Sequence, residues 1–373
     1  MRIVLTANTA WNLANFRGPL ISALLQDGHE IVALAPPDDK AAALEAMGCR
    51  FVPLQMDQRG LSPARDGALL VQMFRSLRNL APALVLGFTI KNNVYGALAA
   101  RALGVPFIPT ITGLGTAFLS GPALQLVAET LYRGAFARAP VVVFQNEDDR
   151  SLFVSRRLVA DRQAQIVPGS GVDLGRFAPR PAPAPKAGVT FLLIARVLRD
   201  KGVMEFAEAA RRIRADRPDV CFELLGPLGV ENRSAIDPAV VAAWVNAGVL
   251  SYHGGVEDVR PYIASADCVV LPSYREGMPR SLLEAAAMGR PVIASDVPGC
   301  RGVVDDQVTG LLCRARDAES LRIAMLDFLA MPPAQRDAMG LAGRAKMERE
   351  FDASLVVSAY RNVIEHIRIK KLL

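Results

Sequence analysis

Short apolar runs alternate with stretches of helical pattern along the chain, in two successive sets. The first set is residues 3–6, 30–35, 83–86, 106–109 and 141–144; the second is residues 189–194, 221–225, 249–252, 268–271 and 291–294. Continuous apolar runs of this length, separated by helices, are typical of parallel strands that are buried on both faces. The pattern therefore predicts an α/β protein with two doubly wound parallel-sheet domains.

A proline-rich stretch separates the two sets. Residues 178–185 read APRPAPAP, which excludes a helix or an inner strand and is typical of a stiff linker. A chain of 373 residues also has the length of two typical domains. We predict a first domain over residues 1–178, a linker over 179–187 and a second domain over 188–350. The last residues, 351–373, are predicted to form a helix that packs back on the first domain.

Composition narrows the class of protein. The sequence has no run of roughly 18 apolar residues and no signal-peptide pattern at its start, so we expect a cytoplasmic protein without a membrane span. The five cysteines and three histidines are scattered, so no metal site is expected. The net charge of +6 lies mostly in residues 1–180, with 18 Lys and Arg against 13 Asp and Glu. This excess favours an anionic partner for the first half, such as a diphosphate or an acidic membrane surface; a solvated basic face is the alternative.

The stretch LPSYREGMPRSLLEAAAMGRPV, residues 271–292, carries the most specific site pattern. It runs from a strand end through a polar loop into a helix, with Glu276 and Glu284 eight residues apart. Pro279 suits the first turn of that helix, and Gly277 lets another group approach the backbone closely. Because a helix start binds phosphate well, a carboxylate on either side of it favours an anionic ligand with hydroxyls at both ends, such as a nucleotide sugar.

Other strand ends of the second domain carry candidate groups for the same ligand. Arg196 and Lys201 follow its first strand, where both can face a diphosphate; surface cations near a helix start are the alternative. Gly226 ends the next strand. His253 precedes two glycines whose backbone can face the edge of a nucleobase, although a histidine at this position more often caps a strand than catalyses.

Three strand-end loops of the first domain also carry polar side chains. They hold Asn15 and Arg17 in residues 6–19, Lys91 and Asn92 in residues 87–93, and Thr112 and Gly113 in residues 110–115. Asn15 by itself fits the cap of the helix that follows. Because the carboxyl ends of parallel strands share one edge of a sheet, the three loops together predict one substrate site.

Two familiar patterns are absent. Residues 169–175, GSGVDLG, lack the G-x-G-x-x-G spacing of a dinucleotide site. The acidic run at 147–149 lies at a predicted helix start, where acids favour the dipole, rather than in a metal cluster. No serine–histidine or cysteine–histidine pair indicates a nucleophile.

Together these residues resemble the retaining glycosyltransferases of family 4, which have the GT-B architecture of two Rossmann-like domains facing a cleft. The E-x7-E signature of Glu276 and Glu284, the pair Arg196 and Lys201 and the segment 169–179 carry the resemblance. Within the family the chain is most similar to bacterial α-1,3-N-acetylgalactosaminyltransferases that extend undecaprenyl-diphosphate-linked glycans. The segments FTIKNNVYG, TITGLG and NFRG carry that closer similarity.

The resemblance implies a role for each site residue. The expected catalytic residues are Arg196, Lys201 and Glu276: the carboxylate binds hydroxyls of the donor sugar, and the two cations neutralise the leaving diphosphate. The expected donor-binding residues are Gly226, His253, Val256, Gly277, Met278, Pro279, Ser281, Leu282 and Glu284, with Glu284 on the ribose and the Ser281 and Leu282 amides on the phosphates. The expected acceptor-binding residues are Asn15, Arg17, Lys91, Asn92, Thr112 and Gly113. Relatives can carry an acidic residue or a histidine in place of Thr112, so no side-chain base is assigned there.

The expected function is transfer of a sugar, an N-acetylhexosamine such as GalNAc or GlcNAc, from a UDP-sugar to an undecaprenyl-diphosphate-linked saccharide, with retention and without a metal. A UDP-sugar 2-epimerase of the same fold and a non-catalytic nucleotide-binding protein are the alternatives. No nucleic-acid partner is expected. For a lipid-linked acceptor, the basic amphipathic helix at 65–80 predicts peripheral contact with the cytoplasmic face of the inner membrane. The alternative is that its apolar stripe, Leu69, Leu70, Met73, Phe74 and Leu77, is an ordinary core face.

Overall fold

The computed structural model describes residues 1–57, 62–114, 122–179, 188–230 and 232–372. They fall into two units: unit 1 is Met1–Ser170 with Ala353–Leu373, and unit 2 is Gly171–Asp352. Residues 171–178, which the sequence placed in the first domain, therefore belong to unit 2. They do so because Val172 and Phe177 are buried in a core cluster of that unit, and the Val172 amide donates to the Phe351 carbonyl oxygen at 2.8 Å. The predicted linker lies outside the described residues from position 180 to 187.

The described residues of unit 1 form a sheet of seven parallel strands with helices between them. The strands are β1 (Arg2–Thr6), β2 (Glu30–Ala35), β3 (Arg50–Pro53), β4 (Leu84–Gly87), β5 (Phe107–Ile111), β6 (Val142–Phe144) and β7 (Ala164–Ile166). The helices are α1 (Ala10–Gln26), α2 (Ala41–Ala46), α3 (Pro63–Leu80), α4 (Ile90–Ala102), α5 (Pro122–Phe136) and α6 (Glu147–Ser155). The strand order is β3-β2-β1-β4-β5-β6-β7. Both faces of the central strands are apolar and buried, as parallel sheets require.

Helix α1 begins at Ala10, whereas the sequence predicted a loop as far as residue 19. Thr9 is the N-cap, because its side chain accepts the Asn12 amide at 2.9 Å. Asn15 is therefore inside the helix and is not its cap. The earlier start is stabilised by an apolar face whose members, Leu13, Leu20 and Leu24 among them, are buried.

The described residues of unit 2 form a second parallel sheet, of six strands. The strands are β8 (Thr190–Ile194), β9 (Cys221–Leu225), β10 (Ser251–Tyr252), β11 (Cys268–Leu271), β12 (Val292–Ser295) and β13 (Gly310–Cys313). The helices are α7 (Val203–Asp216), α8 (Pro238–Asn246), α9 (Arg260–Ser265), α10 (Arg280–Ala287), α11 (Cys300–Val303), α12 (Ala318–Ala330) and α13 (Pro333–Lys346). The strand order is β10-β9-β8-β11-β12-β13.

The last helix, α14 (Ala353–Leu372), belongs to unit 1. Tyr360 is fully buried there, and its hydroxyl lies 2.7 Å from the Thr110 hydroxyl at the end of β5. Arg361 makes a two-pronged ion pair with Asp27, at 2.7 Å for each contact. The end of the chain thus completes the core of unit 1.

Helix α3 turns its apolar stripe inward. Leu69, Met73 and Leu77 are buried in a core cluster of unit 1, and Leu70 and Phe74 are partly buried against it. The stripe is therefore a core face. It is not exposed for the membrane contact that the sequence predicted for this helix. Within the described ranges of the chain, none of the helices is both long enough and apolar enough to span a bilayer.

Candidate active site

The strand order of unit 2 reverses between β8 and β11. From β8 the sheet extends through β9 to β10 on one side, and the chain then returns to place β11 on the other side. In doubly wound sheets, ligands bind beyond the carboxyl ends of the strands at such a switch point. The loop after β8 carries Arg196 and Lys201, and the loop after β11 carries Glu276. The topology thus brings together two motifs that lie 75 residues apart in the sequence.

Two glycines hold the loop after β11 by its backbone. Gly202 has a φ of +71°, and a Cβ atom there would lie 2.0 Å from the Pro272 carbonyl oxygen. Gly299 has a φ of +81°, and a Cβ atom there would lie 2.5 Å from the Gly277 carbonyl oxygen. Neither approach leaves room for a side chain. The loop that carries Glu276 is thus packed against neighbouring loops on two sides.

The Glu276 carboxylate receives two donors on one oxygen. The Lys201 ammonium lies 2.5 Å from Oε1, and the Ser273 hydroxyl donates to the same atom at 2.7 Å. The Lys201 and Glu276 side chains are 21% and 12% exposed, whereas Ser273 is fully buried. A ligand that reaches both members of this ion pair must offer an anionic group to the lysine and hydroxyl donors to the glutamate.

Arg196 differs from Lys201 although the two share a loop. Its side chain is exposed to solvent, while Lys201 is partly buried against Glu276. Because the charge of Lys201 is already balanced by its partner, the exposed guanidinium is the more available positive charge for an incoming diphosphate.

Helix α10 begins one position later than the sequence predicted. Pro279 is its N-cap, with φ −78° and ψ 106°, rather than a residue of its first turn. The Leu282 amide donates to the Pro279 carbonyl oxygen at 3.1 Å, so this group is already used at the helix start. Of the two amides expected to face phosphate, that of Ser281 is therefore the better candidate.

Glu284 is buried on α10 and is paired with Arg280, one turn earlier. The Arg280 Nε and Nη2 atoms lie 2.9 and 2.7 Å from Glu284 Oε1. Burial raises the pKa of the Glu284 carboxyl above its usual value, while the Arg280 charge acts in the opposite direction. Sequence reasoning missed Arg280, although its spacing of four residues from Glu284 on a helix was the available signal.

The residues expected near the nucleobase lie at the ends of β9 and β10. Gly226 has a φ of +150°, and a Cβ atom there would lie 1.8 Å from the Ala195 carbonyl oxygen. Its amide donates to the Gly254 carbonyl oxygen at 2.8 Å, which ties the two strand ends together. His253 follows β10 directly, with its Nε2 atom 3.4 Å from Glu223 Oε2. These contacts fit the expected strand-end role of the histidine.

Val256 and Met278 complete the expected donor set. Both side chains are partly buried and pack against a core cluster of unit 2 that includes Leu282 and Leu283. All the residues expected to bind the donor therefore lie in unit 2, in the loops after β8, β9, β10 and β11 or in the first two turns of α10. Their contact with a ligand stays a prediction.

Unit 1 has a switch point of the same kind between β1 and β4, and Asn92 bridges it. This residue is fully buried on α4. Its Nδ2 atom donates to Thr6 Oγ1 at 2.7 Å and to the Ala7 carbonyl oxygen at 3.0 Å, and its Oδ1 atom accepts from Thr89 Oγ1 at 2.7 Å. Asn92 thus joins the loops after β1 and β4, which is a structural task; its predicted acceptor role stays a prediction.

The two cations expected to bind the acceptor are engaged with groups of unit 1. The Lys91 ammonium lies 2.8 Å from Asp66 Oδ1 and 2.9 Å from the Asp57 carbonyl oxygen. Arg17 is buried in α1, and its guanidinium carbon lies 4.3 Å from the centre of the Phe88 ring. Arg17 is therefore not part of an open substrate loop as the sequence predicted.

The remaining acceptor candidates are partly exposed. The Thr112 hydroxyl donates to the Phe88 carbonyl oxygen at 3.1 Å, and the following Gly113 has a φ of +136° that favours glycine. Asn15 lies in α1, where its side-chain amide donates to the Trp11 carbonyl oxygen at 3.0 Å. Thr112 and Gly113 extend beyond β5, as predicted, whereas Asn15 lies in a helix rather than a loop.

Two known families match the chain, one in each unit. A family described as "Glycosyl transferases group 1" matches residues 188–331, which hold the ion pair of Lys201 and Glu276. A family described as "Glycosyl transferase 4-like domain" matches residues 15–169. This chain belongs to the family 4 glycosyltransferases. The resemblance drawn from the E-x7-E signature is thereby confirmed, and the glycosyltransferase is a hexosyltransferase.

Two relatives share the level of identity but differ in coverage. A Campylobacter jejuni protein named N,N'-diacetylbacillosaminyl-diphospho-undecaprenol alpha-1,3-N-acetylgalactosaminyltransferase is 25% identical, over 98% of this chain and 99% of its own. An Escherichia coli protein named UDP-Gal:alpha-D-GlcNAc-diphosphoundecaprenol alpha-1,3-galactosyltransferase is 25% identical over 72% of each chain. The glycosyltransferase is thus similar along nearly its full length to a transferase of the expected kind.

Solved structures confirm the predicted fold. A sucrose-phosphate synthase from Thermosynechococcus elongatus has a TM-score of 0.81 at 19% identity, over 99% of this chain and 100% of its own. Anabaena HepE in complex with UDP-glucose has a TM-score of 0.79 at 15% identity, over 98% and 100%. With the two parallel sheets described above, these matches establish the GT-B fold of the glycosyltransferase.

Proposed function

We propose that this glycosyltransferase moves an N-acetylhexosamine, GalNAc or GlcNAc, from a UDP-sugar to a saccharide linked to undecaprenyl diphosphate, with retention at the anomeric carbon. The proposed binding of a nucleotide-sugar donor is supported by the ion pair of Lys201 and Glu276 at the switch point of unit 2. It offers a cation for phosphate and a carboxylate for hydroxyls at the place where doubly wound sheets bind nucleotides. A UDP donor is supported by the name of the E. coli relative and by the UDP-glucose complex of HepE.

The proposed donor site assigns one task to each end of the nucleotide sugar. Glu276 accepts hydrogen bonds from the sugar, and Glu284 accepts them from the ribose. Arg196, Lys201 and the amide of Ser281 face the diphosphate between them. As the bond from the anomeric carbon to the phosphate oxygen breaks, charge develops on the diphosphate, and stabilising that charge is the main contribution of the protein to catalysis.

Retention is proposed to occur by attack on the face from which UDP leaves. The acceptor oxygen bonds to the anomeric carbon, and its proton passes to the phosphate oxygen that departs. This route needs no nucleophile and no side-chain base, which suits the hydroxyl of Thr112 at the acceptor loop. It also requires no metal, so excess chelator is expected to leave the rate of transfer unchanged.

The proposed acceptor is inferred from the names of the two relatives. Both the C. jejuni and the E. coli protein carry diphospho-undecaprenol acceptors in their names. A lipid-linked acceptor places the reaction at a membrane surface, and we propose peripheral contact with the cytoplasmic face of the inner membrane. Flotation of the protein with vesicles that contain anionic lipid is expected; sedimentation away from such vesicles would contradict this part of the proposal.

One assay tests the whole proposal. The purified protein is incubated with UDP-GalNAc, UDP-GlcNAc, UDP-Gal and UDP-Glc in turn, with and without an undecaprenyl-diphosphate-linked saccharide, and products are identified by mass spectrometry and NMR. Acceptor-dependent formation of an α-linked product from a UDP-N-acetylhexosamine is expected. Epimerised UDP-sugar without acceptor would instead indicate a 2-epimerase, and UDP binding without turnover would indicate a non-catalytic nucleotide-binding protein.

A further inference from the structure

We propose that Ser273 is a positioning residue that fixes the Glu276 carboxylate toward the donor sugar. The inference rests on the proposed function, in which Glu276 accepts hydrogen bonds from sugar hydroxyls. Ser273 is fully buried just beyond the end of β11, and its hydroxyl donates to Glu276 Oε1 at 2.7 Å. It touches the reacting parts only through Glu276.

The hydrogen bonds at Oε1 explain how Ser273 can orient the Glu276 carboxylate. A carboxylate oxygen accepts about two hydrogen bonds along its lone pairs. Oε1 receives both Ser273 and Lys201, at 2.7 and 2.5 Å. Two donors on one oxygen fix the side-chain torsion, so Oε2 faces an incoming ligand in one orientation. A sugar hydroxyl then meets an acceptor that is already in place, without the cost of ordering it.

Of the two hydrogen bonds to Glu276, the one from Ser273 is retained when the donor binds, whereas the one from Lys201 meets competition. The ammonium of Lys201 has three N–H groups, and a bound diphosphate competes with Glu276 for them. Ser273 is uncharged and has no exposed surface, so the diphosphate has no access to its hydroxyl. As the lysine shares its charge with the leaving group, the serine keeps the carboxylate in position.

The chain contains a matched control in Ser295. It ends β12, the strand next to β11 in the sheet, and is also fully buried. Its partner across the sheet is Cys313 on β13. The change Ser295→Ala also removes a buried serine hydroxyl, but one that makes no hydrogen bond to Glu276, so both donors to Glu276 remain.

The test is a double-mutant cycle of Ser273→Ala and Glu276→Gln, read by kcat and KM for transfer and by calorimetric Kd values for UDP and UDP-sugar. Ser273→Ala is expected to lower kcat/KM for the UDP-sugar about 10-fold and to leave the Kd of UDP unchanged. In the Glu276→Gln background the same change is expected to cost less than about twofold, because both residues act through one group. Ser295→Ala is expected to stay within about twofold of the wild type.

Two results would overturn the proposal: additive losses in the cycle, or equal losses for Ser273→Ala and Ser295→Ala. If Ser273→Ala folds poorly, Ser273→Cys supplies the comparison, because a thiol has a similar volume and is a weaker donor. A wild-type protein that binds UDP-sugar but transfers to no acceptor would contradict the proposed function alone. The role of Ser273 would then be decided by binding, since its loss must reduce the advantage of UDP-sugar over UDP.

Discussion

The two sheets of this glycosyltransferase have the same kind of switch point and use it differently. In unit 2 the loops after β8 and β11 present the partly exposed ion pair of Lys201 and Glu276. In unit 1 the loops after β1 and β4 are joined by Asn92, whose side-chain amide is fully buried and bonded to protein groups. One edge holds a partly exposed ion pair, and the other uses buried polar groups to join two loops of the fold.

This difference shows that topology selects the place of a site, while burial and pairing decide which side chains a ligand can use. Lys91 and Lys201 illustrate the point, since each lysine follows a strand of its sheet and pairs with a carboxylate. Lys91 also donates to the Asp57 carbonyl oxygen, so it braces the chain before α3. Lys201 and the hydroxyl of Ser273 both donate to the carboxylate of Glu276.

The largest expected effect comes from adding a methyl group against the loop after β11, which carries Glu276. In Gly299→Ala the new Cβ would lie 2.5 Å from the Gly277 carbonyl oxygen, at a φ of +81°. We expect transfer to fall more than about 100-fold and stability to fall by about 1–3 kcal/mol, since the loop must move or the backbone must strain. Gly302→Ala is the control, because a Cβ there meets nothing within 4 Å. Equal behaviour of the two variants in transfer and thermal unfolding would show that the loop is not held as described.

Removal of the paired cation should be the next largest effect. Lys201→Ala is expected to lower kcat about 100-fold, because the leaving diphosphate loses a positive charge. Thermal stability should change little, since a partly exposed ion pair contributes about 0–1 kcal/mol. Arg199→Ala changes an exposed cation in the same turn and serves as the control. If both variants kept the wild-type rate of transfer, the charge on the diphosphate would have to be balanced elsewhere.

The bridging residue of unit 1 is expected to respond in the opposite manner. Asn92→Ala leaves the hydroxyl of Thr6 and the carbonyl of Ala7 without the buried amide that bonds to them. We expect a loss of about 2–3 kcal/mol in the free energy of unfolding, with no change in UDP affinity. Denaturant unfolding and calorimetry measure the two quantities. Unchanged stability with weakened UDP binding would contradict the structural role assigned to Asn92 in unit 1.

The smallest expected effect is a pH dependence at Glu284. Burial raises the pKa of its carboxyl in the folded protein, so its protonated form favours folding. That contribution is fully present below the ordinary carboxyl pKa and is lost as pH rises through the raised folded value. Glu284→Gln cannot ionise, so its stability relative to the wild type should improve as pH rises from below the ordinary carboxyl pKa through the raised folded value. Denaturant unfolding at constant ionic strength measures it, and a difference independent of pH would contradict the raised pKa.

The interior strands and the edge strand β10 could be predicted from the sequence, whereas three other edge strands could not. The ranges predicted for β2, β9 and β11 coincide with the observed Glu30–Ala35, Cys221–Leu225 and Cys268–Leu271. The strands that were missed, β3, β7 and β13, lie at the edges of their sheets. Edge strands such as β3 and β7 are only partly buried, so their sequences lack a continuous apolar run.

The same limit applies to the site. Glu276 and Glu284 stand out because a strand end, a glycine and a helix start surround them within one short stretch. Ser273 and Arg280 lie in that stretch too, but their roles depend on side-chain directions that spacing does not define. Gly299 depends on tertiary packing alone, because its contact is with the backbone of a different loop.

The rate of transfer by Glu276→Gln tests the donor-site assignment most directly. The change preserves the shape of the side chain and removes the charge that pairs with Lys201. We expect kcat for transfer from the UDP-N-acetylhexosamine to fall at least about 100-fold, with the Kd of UDP and the temperature of unfolding close to those of the wild type. A variant that transfers at the wild-type rate would contradict the assignment of this switch point as the catalytic centre.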